Sequence, residues 1–245
     1  MSLDIQRSVT CRLTADRALN TLQEAVGFLD DRGLLTRMAD CALPSLFGAC
    51  HEEPGNPAGR GFDLWPRTKW IWSFQLTAGS RGLLTKMHRG KSLYLSAAAT
   101  RAFDPLVRQA IAAASGDEER LLDHLARHGP SLHDDVQLEL GWESKRLKSV
   151  RKRLERVGAV VSDGLVFESS SSWYFAPMRR WDQAVTQSAH SDDPHGDVVV
   201  AGVKAAVVAP EAEVSSWFSW PIPPGTVDRL VREGRLTQPE PGLLA

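Results

Sequence analysis

The chain has almost no net charge, few cysteines, and no apolar run of membrane-spanning length. Each shortage excludes something. A formal charge of −1 over 245 residues argues against indiscriminate coating of a polyanion, though not against one local basic element. The longest apolar runs, such as VVVAG, fall far below the roughly 20 residues of a transmembrane helix. The opening MSLDIQRSVTCRL lacks the apolar segment of a signal peptide, so a cytoplasmic location is expected. Cys11, Cys41 and Cys50 are an odd set at no disulfide-framework spacing, which suits a reducing compartment. The spacing of Cys41, Cys50 and His51 matches no usual zinc pattern, so no metal is expected. Also missing are a Gly-rich phosphate loop, G-x-S-x-G and H-E-x-x-H, so no cofactor is expected. No long heptad run points to a coiled-coil dimer, which leaves the oligomeric state open.

What positive charge there is gathers in one place. ESKRLKSVRKRLERVGAVVSDG, Glu143 to Gly164, holds seven Lys/Arg against three acids. Leu147, Val150, Leu154 and Val157 recur at the rhythm of one buried helix face. At about 100° per residue, Lys145, Lys148, Ser149, Lys152 and Arg156 fall on the opposite face. Arg151 and Arg153 flank it, and Arg146 completes the basic set. Gly158 is placed to end the helix. AVVS and LVFESSSSWYF then read as strands joined at Asp163-Gly164.

Two helices are expected before it. GDEERLLDHLARHGP has acids in its first turn, Leu121, Leu122, Leu125 and Ala126 on one side, and a Gly-Pro stop. SLHDDVQLELG has Ser131 as N-cap and ends at Gly141. Helix, short helix, basic helix and hairpin resemble a winged helix-turn-helix, whose third helix enters the DNA major groove. A solvated helix beside a hairpin is the competing reading. The C-terminus repeats the plan: DVVVAGVKAAVVA, EAEVSSWFSW and GTVDRLVREG as helices, then a hairpin turned at Pro239-Glu240-Pro241-Gly242. Arg229 and Arg232 there meet Asp228 and Glu233, so that copy should pack rather than read DNA.

Toward the N-terminus, LTADRALNTLQEAVGFLDDRG reads as a helix capped by Thr14 and closed by Gly33. The Gly/Pro-rich HEEPGNPAGRGFD is a candidate functional loop. LWPRTKWIWSFQL sets Trp65, Trp70, Trp72 and Phe74 among Arg67 and Lys69. Those aromatics fit a core, or a surface that stacks on exposed bases. GLLTKMH and SLYLS read as strands turned at Arg89-Gly90-Lys91, and the tip His88-Arg89-Gly90-Lys91, with Arg89 and Lys91, could hold phosphates or serve solubility. AAATRAFDPLVRQAIAAAS reads as a helix bent or restarted at Asp104-Pro105, and Gln187 to Gly196 as a linker. His124, His128 and His133 are expected to face solvent.

LPSLFGA, LWPRTKWIW, TKMHRGKSLYLS and HGPSLHDDVQLELG, followed by the basic helix and wing, resemble winged-helix proteins related to AlkZ/YcaQ-type DNA glycosylases. AEVSSWFSWPIPPGTVDRLVREGRL is similar to their third winged helix. The resemblance implies tandem winged-helix modules around a DNA channel. It also implies a Gln-x-Gln or Gln-x-Asp catalytic motif, where this chain has Gly27-Phe28-Leu29-Asp30-Asp31-Arg32. Asp30 stands at the first Gln and is the one catalytic candidate; a surface acid at a helix end is the alternative.

The expected fold class is α+β, mainly helical, with tandem winged helix-turn-helix modules. Expected units are a helical module at 1–50 that could be a degenerate winged helix, an aromatic-rich helix, hairpin and helix at 60–115, a central winged helix at 116–183, and a winged-helix-like module at 197–245. Double-stranded DNA is the expected partner, held by Lys145, Arg146, Lys148, Ser149, Arg151, Lys152, Arg153 and Arg156. Arg67, Lys69, Arg89 and Lys91 are further candidates. Such a protein would be nucleoid-associated, as a regulator or a repair accessory. A divergent glycosylase and a protein-interaction scaffold without DNA binding are the rival functions.

Overall fold

Hydrophobic periodicity dictates most of the helices, and strand pairing over long range assembles them. The structure is a computed structural model and describes residues 2–78, 82–162, 166–167 and 174–245. It is α+β, dominated by helices with small antiparallel sheets.

The first part holds α1 (Leu3–Thr10), α2 (Leu22–Arg32), β1 (Leu34–Thr36), α3 (Trp72–Gln75), β2 (Gly82–His88) and β3 (Lys91–Ser96). The helix expected from Thr14 is split. A short 3-10 turn at Ala15–Arg17 comes first, and Thr21 caps α2 by accepting from the Glu24 N–H. Glu24 in turn accepts from the Asn20 N–H at 2.7 Å, so local capping chemistry outweighs continuity of the apolar pattern. β2 and β3 form the expected hairpin. Arg89 and Gly90 both have positive φ, at 53° and 78°, as a two-residue type I′ turn requires. β1 pairs with the returning strand β3, Leu34 opposite Leu95.

α4 (Thr100–Ala112) runs through Pro105 without restarting. Then come α5 (Asp117–His128), α6 (His133–Leu140), the basic α7 (Ser144–Arg156), β4 (Val160–Ser162), β5 (Val166–Phe167), β6 (Tyr174–Phe175), β7 (Met178–Arg180) and α8 (Trp181–Ala184). Leu147, Val150 and Leu154 are buried, as their spacing predicts, among Leu121, Leu122, Leu125, Val136, Trp142 and Met178. Two expectations fail here. Ala126 is exposed while His124 is buried on the same helix. Ser131 does not cap α6: its backbone exchanges hydrogen bonds with Met178, at 2.9 and 2.8 Å. A strand contact there satisfies both of its peptide groups, where a cap would satisfy one. Past α7, Gly158 takes φ 74°, and a Cβ there would lie 2.6 Å from Met87 Sδ, so the close approach to β2 demands glycine. β4 pairs with β7, and β5 with β6. The strands flanking Asp163-Gly164 therefore do not pair with each other, and that dipeptide lies outside the described residues.

The last part is α9 (Pro194–Ala206), β8 (Ala209–Pro210), α10 (Glu211–Val214), α11 (Thr226–Arg232) and β9 (Leu243–Leu244). Asp193 caps α9 with Pro194 at its first position, so the helix starts inside the expected linker. The C-terminal turn closes with the Leu243 N–H on the Glu240 carbonyl, and β9 returns to pair with β8.

One topology therefore occurs in each part. The segment after a helix (β1, Ser131, β8) pairs with the returning strand of the following hairpin (β3, β7, β9). α4 and α9 share a core with Trp217, Phe218 and Trp220, which ties the C-terminal part to Met87 and Leu93 of the first hairpin. At its edge the fully buried Asp104 accepts from the Trp181 indole and the Ala189 N–H, both at 2.7 Å, and from Arg108. Removing this one carboxylate strands the buried Trp181 indole and takes an acceptor from the partly buried Ala189 N–H and Arg108. Asp104→Ala should therefore cost about 3–5 kcal/mol of unfolding free energy, the scale of a broken buried ion pair. Urea denaturation matching the parent would refute this role.

Candidate nucleic-acid interface

The cations of α7 divide into two sets. Arg146 grips Asp117 with two bonds, at 2.8 and 2.6 Å, and lies over the Trp142 ring. Arg153 donates to Glu118 at 2.6 Å and to Ser149 Oγ at 3.1 Å. Both acids belong to the first turn of α5, where the helix end also favours negative charge. Arg151 turns back to Glu155, at 2.8 Å, and Lys86 of β2 pairs with the same carboxylate. Lys145, Lys148, Lys152 and Arg156 are exposed, and no acid among the described residues pairs with them. The expected basic face is real, but Arg146, Arg151 and Arg153 are already neutralised.

Three of that free set, Lys148, Lys152 and Arg156, border a groove of about 550 Å³, lined also by Arg151, Glu155, His133, Lys86 and Gly90. Lys86 also lines a recess of about 120 Å³ holding Arg37, Glu155 and Ser162. It lines a third hollow too, of about 340 Å³, beside Thr36, Arg37, Asp40, Trp65, His88 and Lys91. The three adjoin at this residue. A concave track thus runs from the basic helix across the first hairpin to Trp65.

Of the remaining candidates, Arg67 is exposed, whereas Lys69 pairs with Glu52 at 3.7 Å. Arg89 donates to the Ser216 carbonyl and hydroxyl, at 2.7 and 2.8 Å, so this turn residue points into the C-terminal part. Lys91 pairs with Asp40. Trp65 and Trp72 belong to the core with Phe47, and Arg37 lies 4.5 Å over the Trp65 ring. Trp70 is 39% exposed. The aromatics are thus mainly core, with cations over two of the rings, Arg37 over Trp65 and Lys69 over Trp72. Asp30 is exposed on α2 and lines none of the three hollows.

Residues the sequence did not single out carry much of this geometry: Lys86, Glu155, Arg37 and Asp40; His88, expected with the turn as a phosphate contact, is turned inward instead. Buried His88 faces the Trp217 carbonyl through Nδ1, at 2.7 Å, and Asp40 through Nε2, at 3.2 Å. Burial pushes His88 down, and this outweighs the two acceptors, which pull the other way. Burial also pushes Asp40 up, but Lys91 and His88 together hold it below its ordinary value. Cys41 lies beside this pair with its thiol raised to about 11, chiefly by burial. Asp40 and His88 of this trio are already engaged, by Lys91 and by the Trp217 carbonyl.

No protein-family model matches the chain, and no curated protein does. Among solved structures, the DNA glycosylase AlkZ of Streptomyces sahachiroi is similar, with a TM-score of 0.54 at 13% identity. The likeness covers 95% of this chain and 66% of AlkZ, so the chain spans just under two thirds of that protein. At this identity the likeness shows a shared fold. No described helix is long and apolar enough to cross a membrane.

His88, His124 and His133 all titrate below 6.5, in each case first because of burial. A histidine with a lowered folded pKa binds fewer protons than the unfolded chain does, so stability is lost as pH falls through 6.5. Asp40 adds acid sensitivity lower down: its contribution is full above 3.8 and disappears as pH drops through the depressed folded value. The melting temperature should therefore decline from pH 7 to pH 5. A flat or rising profile would contradict these assignments.

Proposed function

We propose that the chain is a tandem winged-helix DNA-binding protein, a regulator or repair accessory, that holds duplex DNA through α7 and the hairpin following it. The carrying observation is the quartet Lys145, Lys148, Lys152 and Arg156 on the open face of α7, without an acidic partner among the described residues, the last three beside a groove. A helix with such a face fits the major groove, and the β4–β7 hairpin lies where a wing would rest on the backbone. The repeated pairing of a post-helix segment with a hairpin's returning strand supports three winged-helix units. The fold shared with AlkZ supports a DNA partner. α11 carries Arg229 tied to Asp193 and Glu233, which leaves it a packing element. Such a protein belongs with the cytoplasmic nucleoid.

Each neutralised phosphate releases counterions, so affinity should fall steeply with salt. Lys148→Ala with Lys152→Ala should flatten the slope of log K against log salt by up to about two units. An unchanged slope in the folded double variant removes α7 from the interface. Failure of every duplex to bind at low salt favours a protein-interaction scaffold.

A second reading, divergent base excision, rests on the AlkZ-like fold and on the track from α7 to Asp40. Glycosidic cleavage requires polar groups aimed at a developing positive sugar. Asp30 lies off that track, and Asp40 is engaged by Lys91 and His88. Incubation with alkylated duplex should accordingly yield no abasic product, and Asp30→Asn should change nothing. Robust excision by the parent, lost in a single carboxylate variant that still binds, would promote the enzyme.

A further inference from the structure

His124 and His128 stand one helical turn apart on α5, and Glu139 reaches them from α6. Their rings stack with centroids 4.6 Å apart. Glu139 Oε2 lies 3.4 Å from His124 Nδ1 and 3.6 Å from His128 Nε2. Those separations are too long for hydrogen bonds, which would bring the atoms to about 2.7–3.2 Å. They are instead the spacing of ligands around an ion. Metal–ligand bonds of about 2.0–2.1 Å set tetrahedral ligand atoms roughly 3.3–3.4 Å apart. All three ligand atoms fall within 4.8 Å of one another.

We propose that His124, His128 and Glu139 form a binding site for a divalent transition-metal ion, zinc foremost. Two imidazoles and one carboxylate suit zinc or its neighbours, whereas magnesium and calcium prefer all-oxygen sites. His124 is 3% exposed, with Nε2 unpaired among the described residues, so Nδ1 is the edge of its ring that meets another ligand atom. His128 and Glu139 are each about half exposed, which gives an ion access and leaves room for solvent ligands. A bound ion would clip the last turns of α5 and α6 together. α6 buries only Val136, and its Leu138 is 84% exposed, so it has little apolar contact of its own to hold it down.

Zinc chloride titrated into the full chain tests this by calorimetry and thermal melting. One saturable equivalent and a raised melting temperature are expected, with magnesium unable to compete. His128→Ala and Glu139→Gln should each weaken zinc binding about tenfold or more, a loss that even outer-sphere partners of a metal cause when removed. Both positions are half exposed, and unchanged melting without zinc confirms the fold. Should His128→Ala melt lower without zinc, Glu139→Gln decides alone. An isotherm unaffected by Glu139→Gln would assign the zinc to other histidines and overturn the site. So would a parent that takes no zinc below millimolar concentration.

Discussion

Glu155 is the constraint on which the proposed interface depends. It is a buried carboxylate on the most basic helix of the chain, held by Arg151 from its own helix and Lys86 from β2. A lone buried carboxylate would be costly, and two cations in contact with it offset that cost. The pairing settles three things together. It fixes the roll of α7, because Glu155 must face β2. It locks the first hairpin against the central unit, a contact that glycine at 158 makes close. It also sorts the cations, pulling Arg151 inward while leaving Lys148, Lys152 and Arg156 beside an open groove.

Much of this was legible from local pattern. The burial of Leu147, Val150 and Leu154 and the exposure of Lys145, Lys148 and Lys152 follow from helical periodicity alone. The hairpin at Arg89-Gly90 follows from turn chemistry. What stayed hidden joins residues far apart in sequence. Lys86 reaches Glu155 across 69 positions, and Asp104 reaches the Trp181 indole across 77. A charged residue inside a periodic pattern reads as surface, yet Glu155 and Asp104 are buried because each finds a counter-group that periodicity cannot place. Caps failed for a related reason. Thr14 and Thr21 are both acceptable N-caps, and only the Glu24–Asn20 contact decides between them.

The same logic narrows the site. Seven Lys/Arg in one stretch look like a uniform basic surface. The fold spends three of them on acids: Arg146 on Asp117, Arg153 on Glu118 and Arg151 on Glu155. The two solvent-facing pairs, Arg146–Asp117 and Arg153–Glu118, contribute little stability in high dielectric. Their larger effect is on position, since Arg146 and Arg153 moor α7 to the first turn of α5. The remaining cations then project as a group from a braced helix. Bracing matters for recognition because side chains ordered before binding lose less entropy on contact.

The flanking units fit this as supports. α3 carries no charged residue, and α11 neutralises Arg229 internally, so neither offers a comparable cationic face. Their apolar surfaces go elsewhere. α9 packs on α4, with Trp217 and Phe218 beneath, and Arg89 of the first hairpin donates to Ser216. The C-terminal part thus holds the tip of the hairpin whose Lys86 anchors Glu155. If all three units descend from one topology, their equivalence is in backbone pairing and not in charge. A duplex drawn to the molecule should therefore be oriented by the central helix, with the neighbouring units determining how that helix is presented.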